Sequence, residues 1–320
     1  MNGFFDSIIP RKRLSREYGC PGVVILGVFF LLCGFFGEGR VLASGGGGLS
    51  GWIVFSSNAS GNWDLWAVHP ETHDMKRLTK TSRTEHSPVV SLKRRDILYV
   101  DQKRRIRVMS ADSSESKGLP LPQGIYAHPA WAPDERQVAY VLYRVIPSDA
   151  SDIWIIRKKS GVWGYPEPVT AFPPMRIFPA FSPDGTRLAY AEFKRDPLLG
   201  VVEEIGMYHF EKKWFRKITD HGADSYEPAW SPDGERLAYT SDKAGNYDIW
   251  ITDLRDGRHS ALTRNPAYDG EPSWSPEGSR IVFVSSRSGR RELHVMSVAG
   301  GRPRPLTKLG KTCKDPFWVK

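Results

Sequence analysis

The sequence predicts an all-β protein, a six-bladed β-propeller of four-stranded antiparallel blades. A short turn motif recurs along the chain at intervals of about 41 to 50 residues, a period typical of propeller blades. No stretch shows sustained helical periodicity. The two ends of the chain also contain complementary parts of one blade, which predicts that the ring closes on itself.

The turn motif is clearest at residues 227–239, which read EPAWSPDGERLAY. Pro232 fixes the backbone angle of the second turn position, and Asp233 suits the third. Gly234 tolerates the positive φ that often follows. A strand with a tryptophan precedes the turn and an apolar strand follows it, so the segment is predicted to be a β-hairpin.

The same hairpin recurs in more or less complete form. Residues 271–278 read EPSWSPEG, 181–185 read FSPDG and 131–134 read WAPD. A degraded copy, PVVSL, lies at 88–92, and DPFW lies at 315–318. The anchor positions of the copies are Val90, Trp131, Phe181, Trp230, Trp274 and Trp318.

The first blade lacks an innermost strand, because WIVF at residues 52–55 aligns with the second strand of the other copies. The last motif, at 315–318, supplies an innermost strand with nothing after it. We expect these parts to pair, which gives six blades and removes the exposed sheet edges of an open ring.

A second element marks the third strand of each blade. GNWDLW at 61–66 matches GNYDIW at 245–250, and SDIW stands at 151–154. In the fourth and sixth blades EEI at 203–205 and ELH at 292–294 take its place. Repetition favours structural roles: a hydrogen bond for the acids and packing between blades for the tryptophans. The residues are Asp64, Asp152 and Asp248 with Trp66, Trp154 and Trp250.

Residues 1–43 are predicted to be a signal peptide, followed by a flexible Gly-rich start at 44–51 and the propeller at 52–320. A basic segment precedes the apolar run 23–36, which is shorter than the roughly 20 residues of a spanning helix. Small residues favour cleavage after Ala43. The alternative is a membrane anchor formed by 23–36. Cys20 and Cys33 lie in this leader, which leaves Cys313 without an internal disulfide partner.

The hairpin motif followed by Asn-x-Asp-Ile-Trp resembles the repeat of the TolB family, over residues 52–320. The resemblance implies a periplasmic propeller that binds protein, as in the Tol-Pal envelope system. TolB has an α/β domain before its propeller. Because only residues 44–51 precede the first strand, we expect no counterpart of that domain here.

The residue before each anchor proline is predicted to lie near one mouth of the central channel. Glu227, Glu271 and Asp315 are acids at this position, and His128 faces them; Ser87 and Phe178 complete the set. One interpretation is a binding site for a cation or a basic peptide; the other is that these acids accept backbone N–H bonds from their own or the neighbouring blade. The predicted partner-binding residues are His86, Tyr126, His128, Arg176, Tyr226, Glu227, Glu271 and Asp315.

A histidine pair and two basic runs are not predicted to form functional sites. His69 and His73 are four residues apart, but they lie in a polar turn rather than on a helix, so we predict no zinc site. The basic runs 93–95 and 103–107 flank one predicted strand, residues 96–101. They are therefore roughly 20 Å apart and are interpreted as solvated turns.

We expect a non-enzymatic scaffold, a monomer without cofactor or metal, for a protein partner such as an envelope or peptidoglycan-associated protein. No nucleophile elbow or phosphate-binding loop occurs, and no catalytic residue is predicted. The net charge of +9 raises an anionic membrane surface or nucleic acid as partners, and export argues against nucleic acid. The alternative is a small propeller lyase or hydrolase with a His/carboxylate site at the channel mouth, with or without a metal.

Overall fold

The computed structural model describes residues 49–93, 95–111, 115–143, 151–170, 174–196 and 200–320. The predicted signal peptide, its cleavage site and the alternative anchor lie outside the described residues. All regular secondary structure in the described parts is β-strand, as predicted.

The strands form six antiparallel sheets, and each sheet runs outward from an innermost strand at the channel. The first blade contains β25 (Cys313–Trp318), β1 (Ile53–Ser57), β2 (Asp64–Val68) and β3 (Met75–Arg77). The second contains β4 (Glu85–Val90), β5 (Asp96–Asp101), β6 (Ile106–Ser110) and β7 (Ser116–Gly118). The third contains β8 (Ile125–Trp131), β9 (Gln137–Tyr143) and β10 (Ser151–Lys159), with β11 (Val162–Trp163) and β12 (Glu167–Pro168) both paired to β10.

The other three blades are four-stranded, as predicted. The fourth contains β13 (Arg176–Phe181), β14 (Arg187–Asp196), β15 (Gly200–His209) and β16 (Trp214–Lys217). The fifth contains β17 (Ser225–Trp230), β18 (Arg236–Ser241), β19 (Asp248–Asp253) and β20 (His259–Ala261). The sixth contains β21 (Asp269–Trp274), β22 (Arg280–Ser285), β23 (Glu292–Ser297) and β24 (Arg304–Pro305). The third blade differs from the prediction because β10 is long enough to pair with two short strands in succession.

The ring closes where the two ends of the chain meet. β25 pairs antiparallel with β1, with Ile53 opposite Trp318. The Trp318 indole donates to the Gly51 carbonyl at 3.1 Å. Each innermost strand contacts the next, in the cyclic order β4, β8, β13, β17, β21, β25 and back to β4. This confirms the predicted six-bladed ring and its closure by the C-terminal strand.

The predicted turn chemistry is present. Gly234 has φ of +72°, and its N–H donates to the Ser231 carbonyl at 2.9 Å. Beside this turn, the guanidinium of Arg236 lies 4.7 Å from the ring of Trp274 in the next blade. The Trp274 indole donates in turn to the Ala229 carbonyl, at 3.1 Å. The motif therefore links adjacent blades as well as closing a hairpin.

Apolar contacts between sheets form the core. Trp230 and Trp250 of the fifth blade pack with residues of the fourth, among them Ile205. Trp66 of the first blade packs with residues of the sixth, and Trp154 of the third packs with residues of the second. The predicted role of these tryptophans between blades is confirmed.

A candidate binding site at the channel mouth

The residue before each anchor proline is held in an uncommon conformation. All six lie at positive φ, between 46° and 58°, where a non-glycine residue is rarely found. Each marks a β-bulge, at which the register between the innermost strand and its neighbour shifts. They therefore form a ring of equivalent positions around the central channel. The residues are Ser87, His128, Phe178, Glu227, Glu271 and Asp315.

Three of these residues form a carboxylate ladder, made of Glu227, Glu271 and Asp315. Glu227 Oε2 accepts the backbone N–H of Glu271 at 3.0 Å. Glu271 Oε2 accepts the backbone N–H of Asp315, and Asp315 Oδ2 accepts the backbone N–H of Ser87 at 2.9 Å. Each carboxylate thus bridges to the next blade, as the structural interpretation of these acids expects. The last bond joins the closing strand β25 to the second blade.

Hydroxyl groups on the second strands support the ladder. Thr240 Oγ1 donates to Glu227 Oε2 at 2.8 Å and accepts the Glu271 N–H at 3.0 Å. Ser56 Oγ donates to Asp315 Oδ2 at 3.3 Å. Glu227 Oε2 and Asp315 Oδ2 therefore each accept from a hydroxyl and from a backbone N–H.

Burial and mutual repulsion set the charge of the ladder. Burial, with the Glu271 charge adding, raises the pKa of Glu227 well above its usual value. Burial and the Asp315 charge raise the pKa of Glu271 to about 7. Burial opposes ionisation of Asp315 too, but the Lys314 ammonium leads the effects that hold its pKa below the usual value. The side chains of Glu271 and Asp315 are still 11% and 29% exposed, so they lie deep in the protein and yet reach the water of the channel.

The two histidines of this region are neutral at pH 7. Burial, reinforced by Lys314, lowers the pKa of His86 to about 3, and burial lowers the pKa of His128 to about 4. His86 Nδ1 lies 3.1 Å from Ser87 Oγ, and the ring centroid of His128 is 4.0 Å from that of Phe178. Neither is a cationic partner for the carboxylates.

Beside the ladder lies an aromatic arc, made of Phe178, Tyr226, Tyr247 and Tyr268. Successive ring centroids are 6.1, 5.7 and 5.9 Å apart. Arg291 ends the arc: its guanidinium is 4.2 Å from the Tyr268 ring and 3.7 Å from Glu271 Oε1. The arc is thus joined to the ladder.

Sequence reasoning placed Phe178 and Tyr226 of this arc at the mouth and missed the rest. The signal for Tyr247 is its place in GNYDIW, in the loop between the second and third strands, where the first blade has Trp63. Lys314 Nζ lies 4.4 Å from the Trp63 ring, so this loop position contacts the mouth in two blades. Arg291 occupies this loop position in the sixth blade, directly before Glu292 as Tyr247 stands before Asp248, so the position contacts the mouth there as well. Nothing in the repeat pattern marks Tyr268.

Tyr126 and Arg176 are not brought to the mouth with the other predicted residues. Both stand two positions before the residue at the bulge, whereas Tyr226 stands one before it, and successive side chains of a strand point to opposite faces. Tyr126 is buried, its hydroxyl donates to the Pro122 carbonyl, and its ring lies 5.4 Å from that of Tyr140.

Arg176 lines a separate cavity of about 370 Å³ on the fourth blade. Its Nε donates to Glu192 Oε2 at 2.7 Å. Tyr190 and Phe215 also line this cavity, and the Arg176 guanidinium lies 5.7 and 5.8 Å from their rings.

The recurring acid of the third strand has the predicted structural hydrogen bond. Asp248 Oδ1 accepts from Thr263 Oγ1 at 3.0 Å and from the Asn265 N–H at 3.2 Å. Thr263 Oγ1 accepts the Ile249 N–H at 2.9 Å. The equivalent acid–threonine pairs are Asp64–Thr79, Glu204–Thr219 and Glu292–Thr307.

His69 and His73 lie in a turn as expected. The His69 ring packs against Trp52, with centroids 5.4 Å apart, and His73 Nδ1 lies 3.2 Å from the Leu306 carbonyl oxygen. In the described part of the chain no group of three or more His, Cys, Asp or Glu side chains has the geometry to hold a metal ion. Among the same residues there is no helix long and apolar enough to cross a membrane.

The fold and the mouth together define a class: a six-bladed β-propeller whose blades are linked by side chains at one channel mouth. Comparison with known families gives a specific assignment. The family model of the TolB beta propeller domain matches residues 105–246 and 168–320, which together span about two thirds of the chain. The chain belongs to the TolB β-propeller family.

Solved structures share the fold. TolB from Acinetobacter baumannii is 19% identical, with a TM-score of 0.70 over 85% of this chain and 67% of that chain. A putative TolB from Agrobacterium tumefaciens is also 19% identical, with a TM-score of 0.68 over 79% of this chain and 89% of that one. An oligogalacturonate lyase in complex with manganese is 16% identical, with a TM-score of 0.56 over 79% and 73% of the two chains. No curated protein sequence matches this chain.

Proposed function

We propose that this chain is an exported, periplasmic β-propeller that acts as a non-enzymatic scaffold and binds a protein partner at the channel mouth. The observation that carries the proposal is the aromatic arc beside the carboxylate ladder. Tyrosine and phenylalanine rings offer large contact areas at low entropic cost, and aromatic residues with arginine are enriched in the cores of protein interfaces.

The hydrogen bonds that the ladder carboxylates already accept support binding rather than catalysis. A general acid or base must be free to exchange a proton with a substrate, whereas each ladder carboxylate accepts a backbone N–H of the next blade. A basic or polar segment of a partner would meet the exposed edges of Glu271 and Asp315 and stack on the arc. The mouth residues we assign to the partner are His86, His128, Tyr226, Glu227, Glu271 and Asp315, with Phe178, Tyr247 and Tyr268 added.

Export and partner class rest on the family and on the leader. The TolB family and the predicted signal peptide at 1–43 favour a periplasmic protein, with a Gly-rich start at 44–51 and the propeller at 52–320. We propose that it is a monomer. An envelope or peptidoglycan-associated protein is the partner that this location favours.

The second candidate is a propeller lyase or hydrolase. Two oligogalacturonate lyases share the fold, with TM-scores of 0.56 and 0.54. Here Arg104 and Lys314 lie near enough to His86 and His128 to depress the pKa of both histidines. A cationic surface of this kind suits an anionic sugar, and a metal could assist the reaction.

Photo-crosslinking tests the scaffold. The photoreactive amino acid p-benzoylphenylalanine replaces Tyr226 or Tyr268 at the mouth, and Phe215 on the outer edge of the fourth blade serves as the control. We expect both mouth positions to capture one and the same protein in the native envelope, and Phe215 not to capture it. Capture at Phe215 alone would contradict the proposal. Turnover of oligogalacturonate that is lost in His128→Ala would establish the second candidate instead.

A further inference from the structure

The propeller has a second face, opposite the channel mouth. Each innermost strand begins near the mouth and ends at the turn to the second strand. Because the strands of a blade are antiparallel, the turns between the first and second strands and between the third and fourth strands all lie on this opposite face. We call it the turn face.

The third blade extends the turn face with a hairpin at residues 158–165. β10 runs on to Lys159, the chain turns at Ser160 and Gly161 with φ of 50° and 85°, and β11 pairs back with Lys158 opposite Trp163. Two successive residues at positive φ are typical of a tight hairpin turn. In the fifth blade β19 and β20 are joined by residues 254–258, with no such extension.

One side of the hairpin packs against its own blade, and the other side is exposed to solvent. The ring of Trp163 lies 6.3 Å from Trp131 of its own blade, and Lys158 Nζ lies 5.1 Å from the Trp163 ring. Val162 is 71% exposed and Tyr165 is 94% exposed. An apolar tip is therefore held outward by a fixed base.

A turn of the second blade continues this surface. The Lys158 N–H donates to the Arg136 carbonyl at 2.6 Å, and the adjacent Glu135 accepts the N–H of Lys93. Leu92, next to Lys93, is 37% exposed. Leucine, valine and tyrosine side chains of this surface make up three of the five large hydrophobic residues exposed in the described part of the chain.

Basic side chains outnumber acidic ones around this tip. In the fourth and fifth blades the corresponding turn pairs its arginine with an aspartate, at 3.6 and 3.5 Å. Around the hairpin Glu167 pairs with Arg157, whereas Asp134 and Glu135 each accept a backbone N–H. Five other basic side chains near the tip form no ion pair with the described residues. These basic residues are Lys93, Arg95, Arg136, Lys158 and Lys159.

We propose that this surface, the hairpin 158–165 with residues 92, 93, 95 and 136, docks on an anionic lipid bilayer. Tyr and Trp favour the boundary between headgroups and acyl chains, and lysines beside them attract anionic headgroups. A phosphate-binding surface alone does not explain the exposed Val162 and Leu92, and the cores of protein interfaces are depleted in lysine. Docking in this way leaves the channel mouth facing away from the membrane. The inference does not depend on the function proposed for the mouth.

Vesicle binding tests the proposal with the full chain. Partition is measured on vesicles of phosphatidylcholine alone and on vesicles with about 30% phosphatidylglycerol, which gives a surface potential of biological size. Neutral vesicles report any contribution of the apolar run 23–36, so the readout is the ratio of anionic to neutral partition. Each lysine near such a surface changes affinity by about fivefold. We expect Lys158→Gln/Lys159→Gln to lower this ratio by about 30-fold. High salt should bring the ratio of the wild type close to one.

Two further variants separate docking from simple charge attraction. Lys308→Gln/Lys311→Gln removes the same charge from exposed residues of the mouth side, and should leave the ratio within about twofold of the wild type. Val162→Ser/Tyr165→Ser keeps all charges, and should lower partition on anionic vesicles by at least about fivefold. Thermal unfolding checks that each variant is folded.

Three results would overturn the proposal. They are equal partition of the wild type on the two vesicle types, equal losses in the two lysine variants, and no loss in the serine variant. The last, together with tight binding of soluble DNA, would indicate a polyanion surface instead.

Discussion

The carboxylate ladder makes a measurable prediction about Glu271. Replacing it with alanine removes the acceptor of the Asp315 N–H and leaves that partly buried donor without its partner at the point where the ring closes. Such an orphaned group costs about 1–3 kcal/mol. For a domain of this size about 2 kcal/mol corresponds to a fall in Tm of roughly 4–8 °C.

Glutamine at the same position separates the hydrogen bond from the charge. Glu271→Gln keeps an acceptor oxygen and removes the repulsion with Asp315, so its stability at pH 7 should lie within about 1 kcal/mol of the wild type. The folded-state pKa of Glu271 is about 7, above that of an unfolded glutamate. Folding therefore favours the protonated form of Glu271. The stability that this form contributes is fully present below about pH 4.5 and is lost as the pH rises through about 7. The glutamine variant should lack this loss.

Urea and thermal unfolding of the two variants, with the exposed Glu211→Ala as control, measure the effect. The control should change the free energy of unfolding by less than about 0.5 kcal/mol. If Glu271→Ala were as stable as the control, the ladder would not hold the blades together. The mouth acids would then be free for a ligand, and loss of partner capture in the same variant would establish that role.

Three further changes test the ring, the buried acids and the repeating clamp. Deleting residues 315–320 removes most of β25, the partner of β1, and should abolish cooperative thermal unfolding; a stable, cooperatively melting monomer would contradict ring closure. Burial and the Asp224 charge raise the pKa of Glu203 to about 8, so this residue should lower the stability of the wild type by a few kcal/mol as the pH rises from about 4.5 to 8. In urea unfolding across the same pH range, Glu203→Gln should not show this fall in stability. A fall as large as that of the wild type would show that Glu203 is not its cause. Thr263→Val deletes the Asp248 clamp and should cost about 1–3 kcal/mol in urea unfolding, whereas the exposed Thr72→Val, as its control, should cost less.

Much of the fold was predictable because its signals are local. The Ser-Pro-Asp-Gly turn and the proline near the start of each innermost strand recur along the chain, so the blade count, the ring closure and the six positions before the anchor prolines could be found. The β-bulge at each of those positions was not predicted. The face to which a side chain points depends on how many residues separate it from the bulge. Proximity in sequence therefore suggested Tyr126 and Arg176 as mouth residues, although both point elsewhere. The arc from Phe178 to Tyr268 depends on contacts between blades, which no single repeat encodes.

The contrast between repeated and unrepeated residues indicates where function lies. Acids that recur, such as Asp248 and Glu271, accept hydrogen bonds that the fold itself requires. Positions that break the repeat do not have this duty: the aromatic arc covers only part of the mouth, and the hairpin at 158–165 extends only the third blade. In a ring of similar blades a partner can be recognised in one orientation only through such differences. The arc and the hairpin lie on opposite faces, so the proposed protein binding and the proposed membrane docking would not obstruct each other.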